Sequence, residues 1–412
     1  MDVPSRLDAA QTAARVLRRV EHEARRRAVE SMARALHEDR DAILAANAAD
    51  LNAAPDLGAA LRDRLRLDAA RLDAVLAMMR EVGSLPDPLT AVHAPVEHTS
   101  AGLRVTRRRI PLGVIAVVYE ARPNVTAECA ALALMSGNAI VLRGGHEAAR
   151  SNAALGAALR RGLESSGLPT NAVQVWADAS RDDVETLLGA TGRVDLVIPR
   201  GGPRLMALVD RLARVPVIRH GAGIVQVYVD QYADADKAVR IAYDAKVNRP
   251  GVCNAMETLL IHRRRLDLLP ELGALLVGAG VELHADEPSA AALSGAGVPA
   301  TAATPADWDT EFLDLKLAIR TVDDLEAALD HIARHGSHHT ASIVTEDATN
   351  AERFLAEVDA SCVLANASTR FNDGHQLGLG AEIGSSTSKM HAYGPMGLVA
   401  LTTEKFVVLG DG

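Results

Sequence analysis

Aromatic residues are scarce: Phe, Trp and Tyr make up 3% of the chain. A core built on rings is excluded, so Ala, Val and Leu must do the packing, as where helices cover a buried sheet. Cysteine is nearly absent. Cys129, Cys253 and Cys362 are an odd, widely spaced set, which forms neither a disulfide framework nor a zinc site, and no metal is expected. No apolar run approaches the length of a membrane span, and residues 1–19 are charged, without the apolar stretch of a secretory leader. A reducing, cytoplasmic setting and no membrane partner are the expectation. Positive charge is the minority, with 44 Lys and Arg against 53 Asp and Glu and a formal net charge of -9. Nucleic-acid binding, which needs a basic face, is excluded. One local exception, Arg104, Arg107, Arg108 and Arg109, reads as a solvated strand edge where charge discourages pairing.

What is present is length and alternation. The 412 residues exceed one ordinary core and imply two or three domains. Residues 6–54 have helical spacing without Pro or Gly and predict two long helices. A hairpin is expected over 96–109. Strands then alternate with helices. Strands are expected at 114–119, 139–143, 172–176, 195–198, 217–219 and 224–229, and helices at 125–136, up to 163, and 182–188. After 230 a second series follows, with helix 233–247, strand 258–262, helix 266–277, strand 315–320, helix 322–335, strand 341–344, helix 348–358 and strand 362–364. Residues 290–306, rich in Ala, Gly, Thr and Pro, read as a loop. The pattern is α/β, with doubly wound parallel sheets. The expected units are 1–230 as a cofactor-binding domain, 231–365 as a catalytic domain, and 366–412 as a return to the first. The β-prone end, 398–409, is expected to pair with the basic hairpin, within a subunit or across a dimer.

Cys253 lies between a helix and a strand, in a loop that Pro250 and Gly251 keep from extending either element. A thiolate is the best nucleophile among side chains, and a loop cysteine near cations is a candidate for one. Lys246 and Arg249 are the cations nearest in sequence. The plainer alternative, a small buried hydrophobe, suits Cys129 inside an Ala-rich helix and Cys362 at the start of an apolar strand.

The loop Asn248-Arg-Pro-Gly-Val-Cys-Asn-Ala-Met-Glu-Thr258 resembles the nucleophile loop of the gamma-glutamyl phosphate reductases, a family within the aldehyde dehydrogenase superfamily. Four more segments resemble that family, in its order: Ile110-Pro-Leu-Gly-Val-Ile-Ala-Val-Val-Tyr-Glu-Ala-Arg-Pro-Asn-Val-Thr126, Ser136-Gly-Asn-Ala-Ile-Val-Leu-Arg-Gly-Gly145, Ile198-Pro-Arg-Gly-Gly202 and Ser368-Thr-Arg-Phe-Asn-Asp-Gly374. The resemblance implies a Rossmann-like cofactor domain, a catalytic domain presenting Cys253, and a small β oligomerisation flap made of the hairpin and the C-terminal strand. It implies that Asn124 donates to the oxyanion together with the Cys253 backbone N–H, although Asn also suits a helix N-cap. Arg143, Gly144, Gly145 and His146 close a strand and open a helix, where a doubly wound fold binds nucleotides. An Arg there suits a 2′-phosphate, so NADP (as NADPH) is expected over NAD, with Glu147 as a competing ribose ligand. Arg200, Gly201 and Gly202 match the superfamily's pyrophosphate turn, and Glu311 the glutamate that holds the nicotinamide ribose. Arg122, Lys246 and Arg249 are candidate partners of an anionic substrate.

One departure narrows the chemistry. Hydrolytic aldehyde dehydrogenases carry a water-activating Glu upstream of the cysteine, and the matching stretch here, Val217-Ile-Arg-His-Gly-Ala-Gly223, has none. A thioester without that base suits phosphate-linked acyl chemistry, and the resemblance implies NADPH-dependent reduction of L-glutamyl 5-phosphate through a Cys253 thioester. It would be carried out by a homo-oligomer, a dimer or tetramer, working after a glutamate kinase. Alternatives are a hydrolytic NAD-linked aldehyde dehydrogenase and a non-catalytic, ligand-sensing relative.

Overall fold

The computed structural model describes residues 2–90, 103–219 and 221–410. Five helices open the chain: α1 (Val3–Leu17), α2 (His22–Glu38), α3 (Arg40–Ala53), α4 (Ala59–Leu65) and α5 (Ala69–Ser84). Three of them occupy the stretch expected to form two. Asp39 both ends α2 and starts α3, and no Gly or Pro marks either break. The breaks let separate apolar stripes turn inward: Leu7, Ala10, Ala14 and Leu17 on α1, and Val29, Met32, Ala33 and Leu36 on α2, share one core.

After β1 (Arg104–Pro111) the alternation begins: β2 (Val114–Tyr119), α6 (Asn124–Met135), β3 (Ala139–Arg143), α7 (Ala149–Ser165), β4 (Val173–Val175), α8 (Arg181–Leu188), β5 (Leu196–Arg200) and α9 (Pro203–Leu212). The four strands form a parallel sheet in the order β4-β3-β2-β5. All six residues of β2 are buried, the near-continuous apolar run of a strand covered on both faces.

The second series is β6 (Val225–Val229), α10 (Ala235–Val247), β7 (Met256–His262), α11 (Leu269–Gly278), β8 (Glu282–Ala285), α12 (Glu287–Gly295), β9 (Thr301–Ala302), β10 (Lys316–Val322), α13 (Leu325–His335), β11 (Thr340–Val344), α14 (Ala348–Glu357) and β12 (Cys362–Ala365). Its strands form a parallel seven-stranded sheet, β12-β11-β6-β7-β10-β8-β9. One apolar cluster centres on Leu259, Ile261 and Leu272, and another on Tyr228, Leu260 and Phe354.

Three expectations need correction. The stretch read as a loop, 290–306, holds the end of α12 and all of β9. Asp286 caps α12 by accepting from the Ser289 N–H, and its Ala-rich sequence is helix-forming once Pro288 sits in the first turn. The boundary placed after 230 cuts off β6, which lies between β11 and β7 in the second sheet. The expected strand 217–219 is only an isolated bridge of Val217 to Val197 on the first sheet. The chain thus changes sheets between Val217 and Val225.

The last elements are β13 (Ser385–Ser386), β14 (Gly394–Pro395) and β15 (Thr402–Leu409). β15 runs antiparallel to β1, pairing Arg107 with Phe406 and Arg109 with Glu404. The first part of the expected hairpin, 96–102, lies outside the described residues. Among the described residues no helix is long and apolar enough to cross a membrane.

Candidate active site

The loop joining α10 to β7 carries Cys253. Its backbone is pressed against Gly223: a Cβ at that glycine would lie 2.1 Å from the Cys253 carbonyl oxygen. The crossover between the sheets and the cysteine loop therefore form one packed unit. Cys253 as a residue is exposed, while its thiol is desolvated by the surrounding protein. That burial, with Glu382 and Glu311 close by, pushes the thiol up to about 11 against the pull of Arg200 and Arg122. Cys129 is fully buried and pushed up to about 12 by burial. Cys362 is half-buried on β12.

The cations at the thiol are not the ones nearest in sequence. Lys246 is fully buried and its ammonium lies 2.8 Å from Glu257, so it is spoken for. Arg249 is exposed. Arg122, Arg200 and Arg370 sit close enough to interact with it. Burial lowers the Arg122 guanidinium to about 10, with Arg200 and Arg64 adding repulsion. Ala121 and Arg122 both adopt left-handed backbone, φ 44° and 66°, strain of the kind that collects at ligand sites. The Arg122 N–H donates to the Arg64 carbonyl at 3.1 Å. Arg200 donates to the Ile383 carbonyl at 2.9 Å, which places its guanidinium on the thiol's side of the turn. Arg370, which carried no role in the sequence reading, has a buried Nε without a hydrogen-bond partner among the described residues.

Asn124 does not cap α6, where Pro123 holds the cap position. Its amide donates one N–H to Glu128 at 2.9 Å, which leaves the second N–H for a ligand. Burial pushes Glu311 upward, partly offset by the nearby Gly223 N–H. Glu382, which sequence reasoning missed, accepts from the Gly374 N–H at 2.9 Å and is likewise pushed up by burial. The lack of Glu in 217–223 therefore does not leave the thiol without carboxylates. They arrive from two distant segments, and the motif Ser368 to Gly374 ends at the glycine that holds one of them.

The nucleotide face is mixed. Arg143, at the carboxyl end of β3, donates to the Ala179 carbonyl at 3.2 Å and keeps a buried Nε without a partner among the described residues. Glu147 accepts from the Ala121 N–H and remains close enough for its charge to act on Arg143. His146 projects into solvent and lies 3.4 Å from Glu147. Gly144 leaves room for Asn152, and Gly145 for Glu147. The second turn is filled differently from expectation: the Gly202 N–H at the start of α9 donates to Glu120 at 2.7 Å, and a Cβ at Gly201 would lie 2.6 Å from the same carboxylate. A side-chain anion thus occupies the helix N-terminus where the resemblance puts a pyrophosphate.

Comparison with known proteins gives a consistent result. A model of the "Aldehyde dehydrogenase family" matches residues 1–277. The chain is 51% identical over 408 residues to a gamma-glutamyl phosphate reductase of Anaeromyxobacter sp. (strain Fw109-5), covering 98% of this chain and 95% of the relative. It is 49% identical over 403 residues to that of Salinibacter ruber, covering 97% and 91%. The crystal structure of gamma-glutamyl phosphate reductase from Thermotoga maritima superposes with a TM-score of 0.95 at 40% identity, covering 100% of this chain and 99% of that one.

Proposed function

Because the chain belongs to the gamma-glutamyl phosphate reductase family of the aldehyde dehydrogenases and is an oxidoreductase, we propose that it reduces L-glutamyl 5-phosphate to L-glutamate 5-semialdehyde and phosphate. This is the second step of proline biosynthesis, in the cytoplasm, on an acyl phosphate delivered by a glutamate kinase. The observation that carries the reading is the set of half-buried arginines, Arg122, Arg200 and Arg370, around the Cys253 thiol. Half-buried guanidiniums suit a phosphate dianion, and the Arg370 Nε has no hydrogen-bond partner among the described residues.

Cys253 attacks the acyl carbon as its thiolate. The bond to the phosphate oxygen breaks, a thioester forms, and phosphate leaves among the three arginines. The Cys253 backbone N–H and the free N–H of Asn124 hold the charge on the acyl oxygen. The cofactor is a nicotinamide; when bound it supplies the hydride that the thioester carbon accepts. Cys253 then departs as thiolate and the semialdehyde is released. We assign NADPH over NADH because the unpartnered Nε of Arg143 fits a 2′-phosphate and Glu147 is engaged elsewhere. Glu311 remains the candidate for the nicotinamide ribose. Homo-oligomerisation through β1 and β15 completes the reading.

Cys253→Ala is expected to abolish NADPH oxidation with L-glutamyl 5-phosphate, and retained turnover would sink the scheme. Glu382 and Glu311 beside the thiol favour one rival, a hydrolytic aldehyde dehydrogenase. The reverse reaction separates the two: it requires inorganic phosphate here and ignores it in the rival.

A further inference from the structure

We propose that the buried Lys246–Glu257 ion pair is a positioning device that clamps both ends of the Cys253 loop and ties them to the segment carrying Glu311. Lys246 lies in the last turn of α10 and Glu257 is the second residue of β7, so the pair spans the two ends of the loop. The ammonium and carboxylate lie 2.8 Å apart with both side chains fully buried. The other Glu257 oxygen accepts from the Leu313 N–H at 3.1 Å. Leu313 adopts left-handed backbone, φ 52°, an uncommon state for a branched side chain that persists only when its surroundings hold it.

A closed circuit results. Glu257 holds Leu313, and Glu311, two residues earlier, lies near enough to the Gly223 N–H for that dipole to favour its carboxylate. Gly223 in turn abuts the Cys253 backbone, and Cys253 lies four residues before Glu257 on the same chain. Burial works against both charges of the pair. Well-packed apolar residues in its place are often as stable or more so, which makes stability alone a poor reason for keeping it. What the pair supplies that Met and Leu cannot is a directional link from one carboxylate to two separate segments. The distance between Glu311 and the thiol is then set by Glu257.

The inference rests on Cys253 being the nucleophile. Its test uses the whole protein and two independent readouts: steady-state kinetics, and alkylation of Cys253 by iodoacetamide as a function of pH. Lys246→Met and Glu257→Gln are expected to lower kcat about tenfold or more, with KM for the acyl phosphate changing by less than about threefold. Because the Glu311 charge disfavours the thiolate, releasing its segment moves the alkylation profile to lower pH. The double variant Lys246→Met/Glu257→Gln balances the charge and is expected to regain thermal stability but not kcat. Glu257→Asp, which keeps the charge and shortens the reach, is a second folded probe and should show the same kinetic loss. Recovery of kcat together with stability in the double variant, or an unmoved alkylation profile in all variants, overturns the proposal. Failure of the functional reading looks different: Cys253→Ala stays active while these profiles still shift.

Discussion

Cys253 is an exposed residue with a reluctant thiol. With its ionisation pushed up to about 11, only about one thiol in a thousand is ionised at pH 8. Alkylation of the protein without ligand should keep rising with pH to beyond about pH 10, with no plateau near neutrality. Glu382→Gln removes the nearest opposing charge and is expected to speed alkylation at pH 8 about tenfold. An unchanged rate would mean that the carboxylate does not act on the thiol. Cys253 could be proposed from the sequence because a loop signal and a family motif coincide on it, and Asn124 from the motif alone. Glu382 and Arg370 were not, since they come near the thiol only through folding of 366–384. Lys246 misled for the converse reason: adjacency in sequence said nothing about Glu257 claiming it.

At the scale of elements, helix packing and buried polar pairs decide more than propensity. α7 crosses α2 so closely that a Cβ at Gly162 would lie 2.4 Å from the Met32 Cα. Gly162→Ala must push the helices apart and should cost about 1–3 kcal/mol in chemical denaturation, with kcat per folded molecule unchanged. α13 offers a pH test. His331 is buried on it, bonded through Nδ1 to Gln226 at 2.9 Å, with Trp308 edge-on at 5.6 Å. Burial first, then the charges of Arg320 and His335, lower its ionisation to about 3 from an ordinary 6.5. The unfolded chain takes up a proton below pH 6.5 and the folded one does not, so this contribution is whole above 6.5 and is lost as pH falls toward 3. Between about pH 7 and 4.5 the natural protein should lose roughly 2–3 kcal/mol more stability than His331→Gln, read by Trp fluorescence. Equal losses would exclude the histidine. Most strands and helices of both sheets were readable from period and punctuation. β8, β9 and α12 were not, because the two strands are very short and α12 is a short Ala-rich stretch with a Pro in its first turn. Nor was the break between α2 and α3, where Asp39 serves both ends.

For the whole molecule, the exposed ribbon of β1 and β15 is the feature that asks for a partner. Phe406 and Val408 stand on one face, both more than half exposed (62% and 51%), with Arg107 over the Phe406 ring at 4.8 Å. If a second copy covers that face, Phe406→Asp should reduce the sedimentation coefficient to that of the monomer while leaving thermal stability nearly as before. A natural protein that already sediments as a monomer would refute it. The α/β class, the two sheets and the ribbon's pairing were visible in the sequence. The crossing point was not, because β6 sits third in its sheet by position although it is first in the chain, and order in space is set by packing.

The crossing has one more consequence. The outbound chain and the returning chain meet there: the Gly221 N–H donates to the Thr387 hydroxyl at 2.8 Å, and the Thr387 N–H to the Arg219 carbonyl at 3.3 Å. Gly223, two residues on, touches Cys253. The thiol thus rides on the pivot of a lever whose two arms are the sheets. Any displacement of one sheet against the other about this crossing would be largest at the rims and smallest at the sulfur.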